Sequence, residues 1–174
     1  YCNTIGVTNI AVGNNSLYNN LTGGCNIAIG YNALFCNTTC GANIAIGVDA
    51  LHCNTASGNI AIGFNSSMCN TTGGSNISIG YYSQSLNTIG YNNVSLGFRS
   101  LQCNMSGFDN IAIGSYALYC NAACNNIAIG SCSLQCNTTG YGNVAVGIGA
   151  MCGATIGINN TAIGSCALRS TSTG

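Results

Sequence analysis

A pentapeptide, N-I-A-I-G and its variants, recurs ten times along this chain at steps of 17 or 16 residues. The copies begin at Asn9, Asn26, Asn43, Asn59, Asn76, Asn93, Asn110, Asn126, Asn143 and Asn160. With so short and constant a period, each repeat is one structural unit that buries its apolar face only against its neighbours. Residues 1–174 are therefore expected to form a single repeat array with partial coils at both ends.

Numbered from its asparagine, the repeat reads N-I-A-I-G-x-x-A-L-x-C-N-T-T-G-x-x. Columns two and four are nearly always Ile, Val or Leu, and column three between them is Ala or Ser. That alternation predicts a short strand with two side chains on one face and one small side chain on the other. Columns nine and eleven predict a second strand. Column nine holds Leu17, Leu34, Leu51, Leu101, Leu118, Leu134 and Leu168, and column eleven holds Cys2, Cys36, Cys53, Cys69, Cys103, Cys120 and Cys136. Asn, Gly and Thr occupy the corners, where tight or left-handed backbone is needed. Glycine every few residues argues against helix.

The fold class expected is all-β, a β-solenoid or β-roll of about ten coils of 16–17 residues, with two short strands per coil. Ile of columns two and four, Leu of nine and Cys of eleven are expected to face inward. Coils about 4.8 Å apart would make a rod of roughly 50 Å. Asparagines of columns one and twelve are expected to stack as amide ladders along the corners.

Only Asp49, Arg99, Asp109 and Arg169 carry a fixed charge, and the net charge is zero. That excludes the basic footprint of a nucleic-acid binder and removes the self-repulsion that keeps small proteins apart. No apolar run approaches the roughly 18–20 residues of a membrane-spanning helix. One histidine and two aspartates, without glutamate, leave little for acid–base catalysis. His52 adjoins Cys53, but alternation along a strand would send them to opposite faces, so no enzyme activity is expected. No CxxC pair or His partner for the thiols is evident, so neither metal nor cofactor is expected.

The I-A-I-G strand with its small residue and turn resembles the head repeats of trimeric autotransporter adhesins. It is also similar to the N-T-A-I-G-type repeats of phage and giant-virus fibre proteins, and Asn160–Gly164 reads N-T-A-I-G. The resemblance implies isoleucines lining the coil and small residues meeting neighbouring chains of a trimer. Carried over, Ala28, Ala45, Ala61, Ser78, Ser95, Ala112, Ala128 and Ala145, with Ala11 and Ala162, would form that chain–chain interface.

Thirteen cysteines point to an oxidising, extracellular or surface setting. Cys36, Cys53 and Cys69 form one run of column-eleven neighbours and Cys103, Cys120 and Cys136 another, with Cys25 and Cys40 near one corner. Neighbours about 4.8 Å apart are within disulfide reach, while an inward ladder of free thiols packing as small hydrophobes is the alternative. Sequons at Asn20, Asn37, Asn70, Asn104 and Asn137 share column twelve and are candidate glycosylation sites, although Asn and Thr are also ordinary corner residues. Tyr31, Phe64, Tyr81 and Phe98 in column six, and Tyr18, Phe35 and Tyr119 in column ten, form aromatic rows. Those rows suit contact with other copies of the chain or with a carbohydrate.

Tyr1 is not a methionine and no signal-like stretch follows it, which suggests a processed product or a segment of a longer chain. The chain enters at column ten and leaves at column fifteen at Gly174 without polar caps, so end coils are expected to template head-to-tail stacking. The function expected is a self-assembling structural subunit of an extracellular fibre or appendage. The alternative is a trimeric adhesin or viral tail- or surface-fibre segment binding a host-surface glycan or receptor. An ice-binding solenoid is more remote, because Thr38-Thr39, Thr71-Thr72 and Thr138-Thr139 are corner pairs missing from several coils.

Overall fold

The computed structural model describes residues 4–170, so Tyr1, Cys2 of column eleven and Gly174 lie outside the described residues. Each repeat contributes one three-residue strand, from β1 (Ile10–Val12) to β10 (Thr161–Ile163). The ten strands form one parallel sheet in sequence order, with each column paired to itself: Ile27 with Ile44, Ala28 with Ala45, Ile29 with Ile46. The chain is an all-β solenoid, as the repeat predicts.

Which face of the strand turns inward is the reverse of the expectation. Ala28, Ala45, Ala61, Ala112, Ala128 and Ala145 are completely buried, as are Ser78 and Ser95. Ile44, Ile46, Ile60 and Ile62 are only half-buried, on the outer side. Of the four residues Ile44, Ile46, Leu51 and Cys53, expected to share one interior, only Leu51 is there. The cause is what else fills the coil: the asparagines of columns one and twelve and the leucines of column nine are themselves buried there, which leaves room beside the strand for Ala or Ser but not for two branched side chains. Along the axis, glycine of column five passes directly over its counterpart, and a Cβ on Gly47 would lie 2.4 Å from the carbonyl oxygen of Gly63.

The second strand expected at columns nine to eleven is not formed; that segment is a run of turns. Column seven and column nine both adopt left-handed backbone, as at Asn32 (φ 54°) and Leu34 (φ 53°). For an L-residue this conformation costs about 1–2 kcal/mol. It is held here by inter-coil bonds such as Leu34 N–H to the Ala50 carbonyl at 3.1 Å, and it turns the leucine into the lumen, where Leu34, Leu51, Leu101, Leu118 and Leu134 are fully buried.

Apart from the buried alanines of column eight, such as Ala33 and Ala50, the rest of the interior is largely polar. In column one, the Asn43 N–H donates to Asn26 Oδ1 (3.0 Å) and the Asn59 N–H to Asn43 Oδ1 (2.9 Å). The same side chains reach across the coil, with Asn43 Nδ2 donating to the Ala56 carbonyl (2.9 Å) and Asn59 Nδ2 to that of Gly73 (2.9 Å). Column twelve forms a second ladder: Asn37 Nδ2 donates to Asn20 Oδ1 and to the Cys40 carbonyl, both at 2.9 Å. The expected ladders are present, but inside the coil. Mid-array, Ser67 and Gln84 replace leucine in column nine, and Ser78 and Ser95 replace alanine in column three. Ser67 Oγ meets Ser78 Oγ at 2.7 Å, Ser78 Oγ donates to Gln84 Oε1 at 2.6 Å, and Ser83 Oγ meets Ser95 Oγ at 2.5 Å. This polar plug separates two apolar clusters, one over Leu17–Ala61 and one over Leu101–Ala162.

Two substitutions separate steric from conformational demands on glycine. Gly47→Ala combines φ +135° with a backbone clash, and strain of this kind alone is of order 1–3 kcal/mol. Gly58 has φ +75° with nothing nearer than 3.6 Å to its Cβ position, and Ala42, its counterpart one coil earlier, already adopts φ 58°. Chemical denaturation should therefore show a large loss of stability for Gly47→Ala and only the left-handed backbone cost of about 1–2 kcal/mol for Gly58→Ala.

The column-twelve ladder also allows a gain. Its next member after Asn137 is the buried Ala154, and Asn137 Oδ1 is buried without a hydrogen-bond donor. Ala154→Asn should supply that donor and stabilise the chain by about 1 kcal/mol, read as a higher denaturation midpoint at unchanged slope.

Candidate functional site

With the interior filled by Asn, Ala, Ser and Leu, the rows able to meet other molecules lie outside. Columns two and four make two parallel apolar ridges along the sheet, broken in column two only by Thr161 of β10, and Ile29, Ile77, Leu96 and Ile129 are exposed even within the array. Column six flanks them with exposed Tyr31, Phe64, Tyr81 and Phe98. Phe64 stacks on Tyr81 at 5.0 Å and Tyr81 on Phe98 at 5.8 Å, so a ring spacing near the coil repeat makes an aromatic row over three successive coils, with Val48 separating it from Tyr31. A second stack, Tyr18–Phe35–His52, runs along column ten with centroids 5.5 and 5.2 Å apart.

The interface carried over from the adhesin resemblance is overturned by this arrangement. Ala28, Ala45, Ala61, Ser78, Ser95, Ala112, Ala128 and Ala145 have no exposed surface with which to touch a second chain. The glycosylation sites in column twelve are overturned too. Asn20, Asn37, Asn70, Asn104 and Asn137 are buried, and their Nδ2 atoms, where a glycan would attach, donate to the carbonyl three residues on at 2.8–2.9 Å.

Column eleven also faces outward rather than in. Cys36, Cys53, Cys69 and Cys103 are half-buried and Cys120 and Cys136 exposed, and all twelve described cysteines are free thiols. Cys25 and Cys40 do not meet at their corner: Cys25 Sγ lies 3.0 Å from Thr8 Oγ1, while Cys40 Sγ donates to the Thr55 carbonyl at 2.9 Å. Burial, and then the neighbouring thiol on column eleven, push the Cys36 and Cys69 thiols above the usual range, in both cases with Cys53 as the neighbour. Cys120 is raised by burial and then by Cys103 and Cys136, and Cys152 by burial and then by Cys136. Such thiols stay protonated and are poor nucleophiles.

His52 and Cys53 were expected on opposite faces, yet the turn that replaces the second strand brings them together. The ligand atoms of Cys36, His52 and Cys53 all lie within 4.8 Å of one another. His52 Nδ1 is shielded from solvent, with Asp49 Oδ1 3.2 Å away. Sequence reasoning missed this cluster because strand alternation does not apply on either side of a left-handed column nine. The usable signal was the adjacency of columns ten and eleven. No protein-family model matches the chain, and no curated protein or solved structure matches it either.

Thiol chemistry should follow the protonation pattern. At pH 8, iodoacetamide should alkylate Cys36, Cys69, Cys120 and Cys152 more slowly than a cysteine in an unfolded peptide, with their rates still climbing at higher pH. The same raised values favour the fold below the pH at which the unfolded thiols ionise. Stability should therefore decline as pH rises from about 8.5 through the folded-state values, which a denaturation series at increasing pH would record.

Proposed function

We propose that the chain is a structural subunit that associates with copies of itself, as part of an extracellular fibre or appendage. The observation that carries this reading is the outward pair of Ile/Val ridges in columns two and four. Over ten coils they cover roughly 45 Å by 7 Å, about 300 Å² of backbone footprint. Apolar patches of that size on a monomer are often functional. A second copy is the occupant that fits best. The face is flat, periodic and uncharged, so the ridges of one copy match the grooves of another at the same spacing, and no charge pattern specifies a different partner. The setting outside the cell draws on the likeness of the I-A-I-G repeat to adhesin and fibre repeats.

A second reading, a trimeric adhesin or viral-fibre segment that binds a host-surface glycan, draws on the stacked aromatics of column six. Stacked rings with polar edges suit sugar faces as well as neighbouring chains. In that case the trimer would close through the isoleucine face, since the alanine column is internal.

Lysine in place of both Ile44 and Ile60 should abolish association, measured by analytical ultracentrifugation, while the circular dichroism of the sheet is kept. Ala45→Arg should instead disrupt the coil itself, because Ala45 is completely buried and an unpaired charge has no place there. Electron microscopy of the native protein distinguishes a filament from a trimeric spike. A native chain that stays monomeric at high concentration would refute self-assembly.

A further inference from the structure

We propose that Cys36, His52 and Cys53 form a binding site for one thiophilic cation of the zinc class, which clamps two successive coils together. Cys36 comes from the coil that begins at Asn26, and His52 and Cys53 from the coil that begins at Asn43, so the ligand set bridges the two coils. Their ligand atoms already lie within 4.8 Å of one another. Zn–S bonds of about 2.3 Å and Zn–N bonds of about 2.0–2.1 Å need ligand atoms about 3.5–3.8 Å apart in a tetrahedron. Rotation of half-buried side chains supplies the remaining ångström or so. Two thiolates and an imidazole select a soft or borderline ion over calcium or magnesium, which take oxygen ligands.

The surroundings of the ring make this a built site rather than a chance cluster. Phe35 stacks on His52 at 5.2 Å with the rings 9° from parallel, which fixes the imidazole plane. Asp49 Oδ1 lies 3.2 Å from the shielded Nδ1, so one ring nitrogen faces a carboxylate and the other is left for a cation. The second ring nitrogen of a ligating histidine commonly meets a carboxylate, a backbone carbonyl or water. The other thiol run has no counterpart, since column ten carries Gln102, Tyr119 and Gln135 beside Cys103, Cys120 and Cys136. Binding exchanges the two thiol protons for the cation, and because all three residues are only half-buried, water can fill a fourth position.

The test uses the whole chain, reduced, titrated with Zn²⁺ by calorimetry and with Co²⁺ by absorption spectroscopy. One equivalent should bind, Co²⁺ should give thiolate charge-transfer and tetrahedral ligand-field bands, and Zn²⁺ should raise the melting temperature. His52→Gln, which installs the residue already present in column ten at Gln102 and Gln135, should weaken binding by more than the roughly tenfold expected for Asp49→Asn. Should His52→Gln alter the circular dichroism, Cys53→Leu serves in its place, because Leu86 already occupies column eleven. Cys120→Ser should bind like the native chain. No uptake by the reduced protein, equal uptake by the His52→Gln or Cys53→Leu chain, or loss of uptake in the Cys120→Ser chain would each overturn the proposal.

Discussion

One side-chain amide per coil holds this solenoid in register. The column-one asparagine accepts the N–H of the asparagine above it and donates across the lumen to the column-fifteen carbonyl, as Asn59 does toward Asn76 and Gly73. Both groups are main-chain polar atoms at corners that the three-residue strands do not reach, and buried groups of this kind cost about 1–3 kcal/mol each if left unpaired. An aspartate at this position could accept but not donate. A serine would be too short to cross, and a glutamine too long to stay in line. Stacking with every column on itself follows, because each amide meets its partner only when the coils are in phase. Two repeats of 16 residues preserve that phase by losing one corner residue: Asn54 Nδ2 bonds the carbonyl two residues on, at Ala56, where the 17-residue repeats use the third.

A lumen bridged by short amides must be narrow, and the remaining interior choices follow from that width. Column five is glycine because its backbone runs under the next coil at contact distance. Column three is Ala or Ser because nothing larger fits between the two asparagine ladders. Leucine enters only from column nine, on the opposite wall. Where leucine is missing, at Ser67 and Gln84, serine replaces alanine at Ser78 and Ser95, so each hydroxyl finds a partner. The compensation spans different coils of the sequence, and it reads as a pattern only once the columns are known to face one another.

The period, the in-register stacking of coils, the strand over columns two to four and the asparagine ladders were legible in the sequence, because repetition and the alternation of columns two to four determine them, whereas the second strand expected at columns nine to eleven is replaced by turns and leaves one sheet. Which face of that alternation points inward was not. Shifting the reading by one residue exchanges the faces, and hydrophobicity alone assigns isoleucine to the interior. The missing quantity was the room left in the lumen, which the buried asparagines and leucines take up. The same error carried through to the cysteines, the alanine interface and the column-twelve sequons. The left-handed backbone at Leu34 and Leu51 was also hidden, since leucine gives no sign of it, and the meeting of His52 with Cys53 went with it.

The result is a coil with its polarity partly inverted: most amides and hydroxyls are paired inside, with exceptions such as Asn137 Oδ1, and branched aliphatic side chains are stacked outside. Within one chain the isoleucines already shelter one another along the rod, since Ile44, Ile60 and their neighbours in mid-array are half-buried without any partner chain. Register and outer face are therefore coupled. The amide ladder sets the spacing of the coils, the spacing aligns the isoleucines into ridges, and ridges of constant pitch can fit a second copy along their whole length. A break in the ladder would shift the ridges out of line beyond the break, so the buried asparagines govern the alignment of an outer face that none of them reaches.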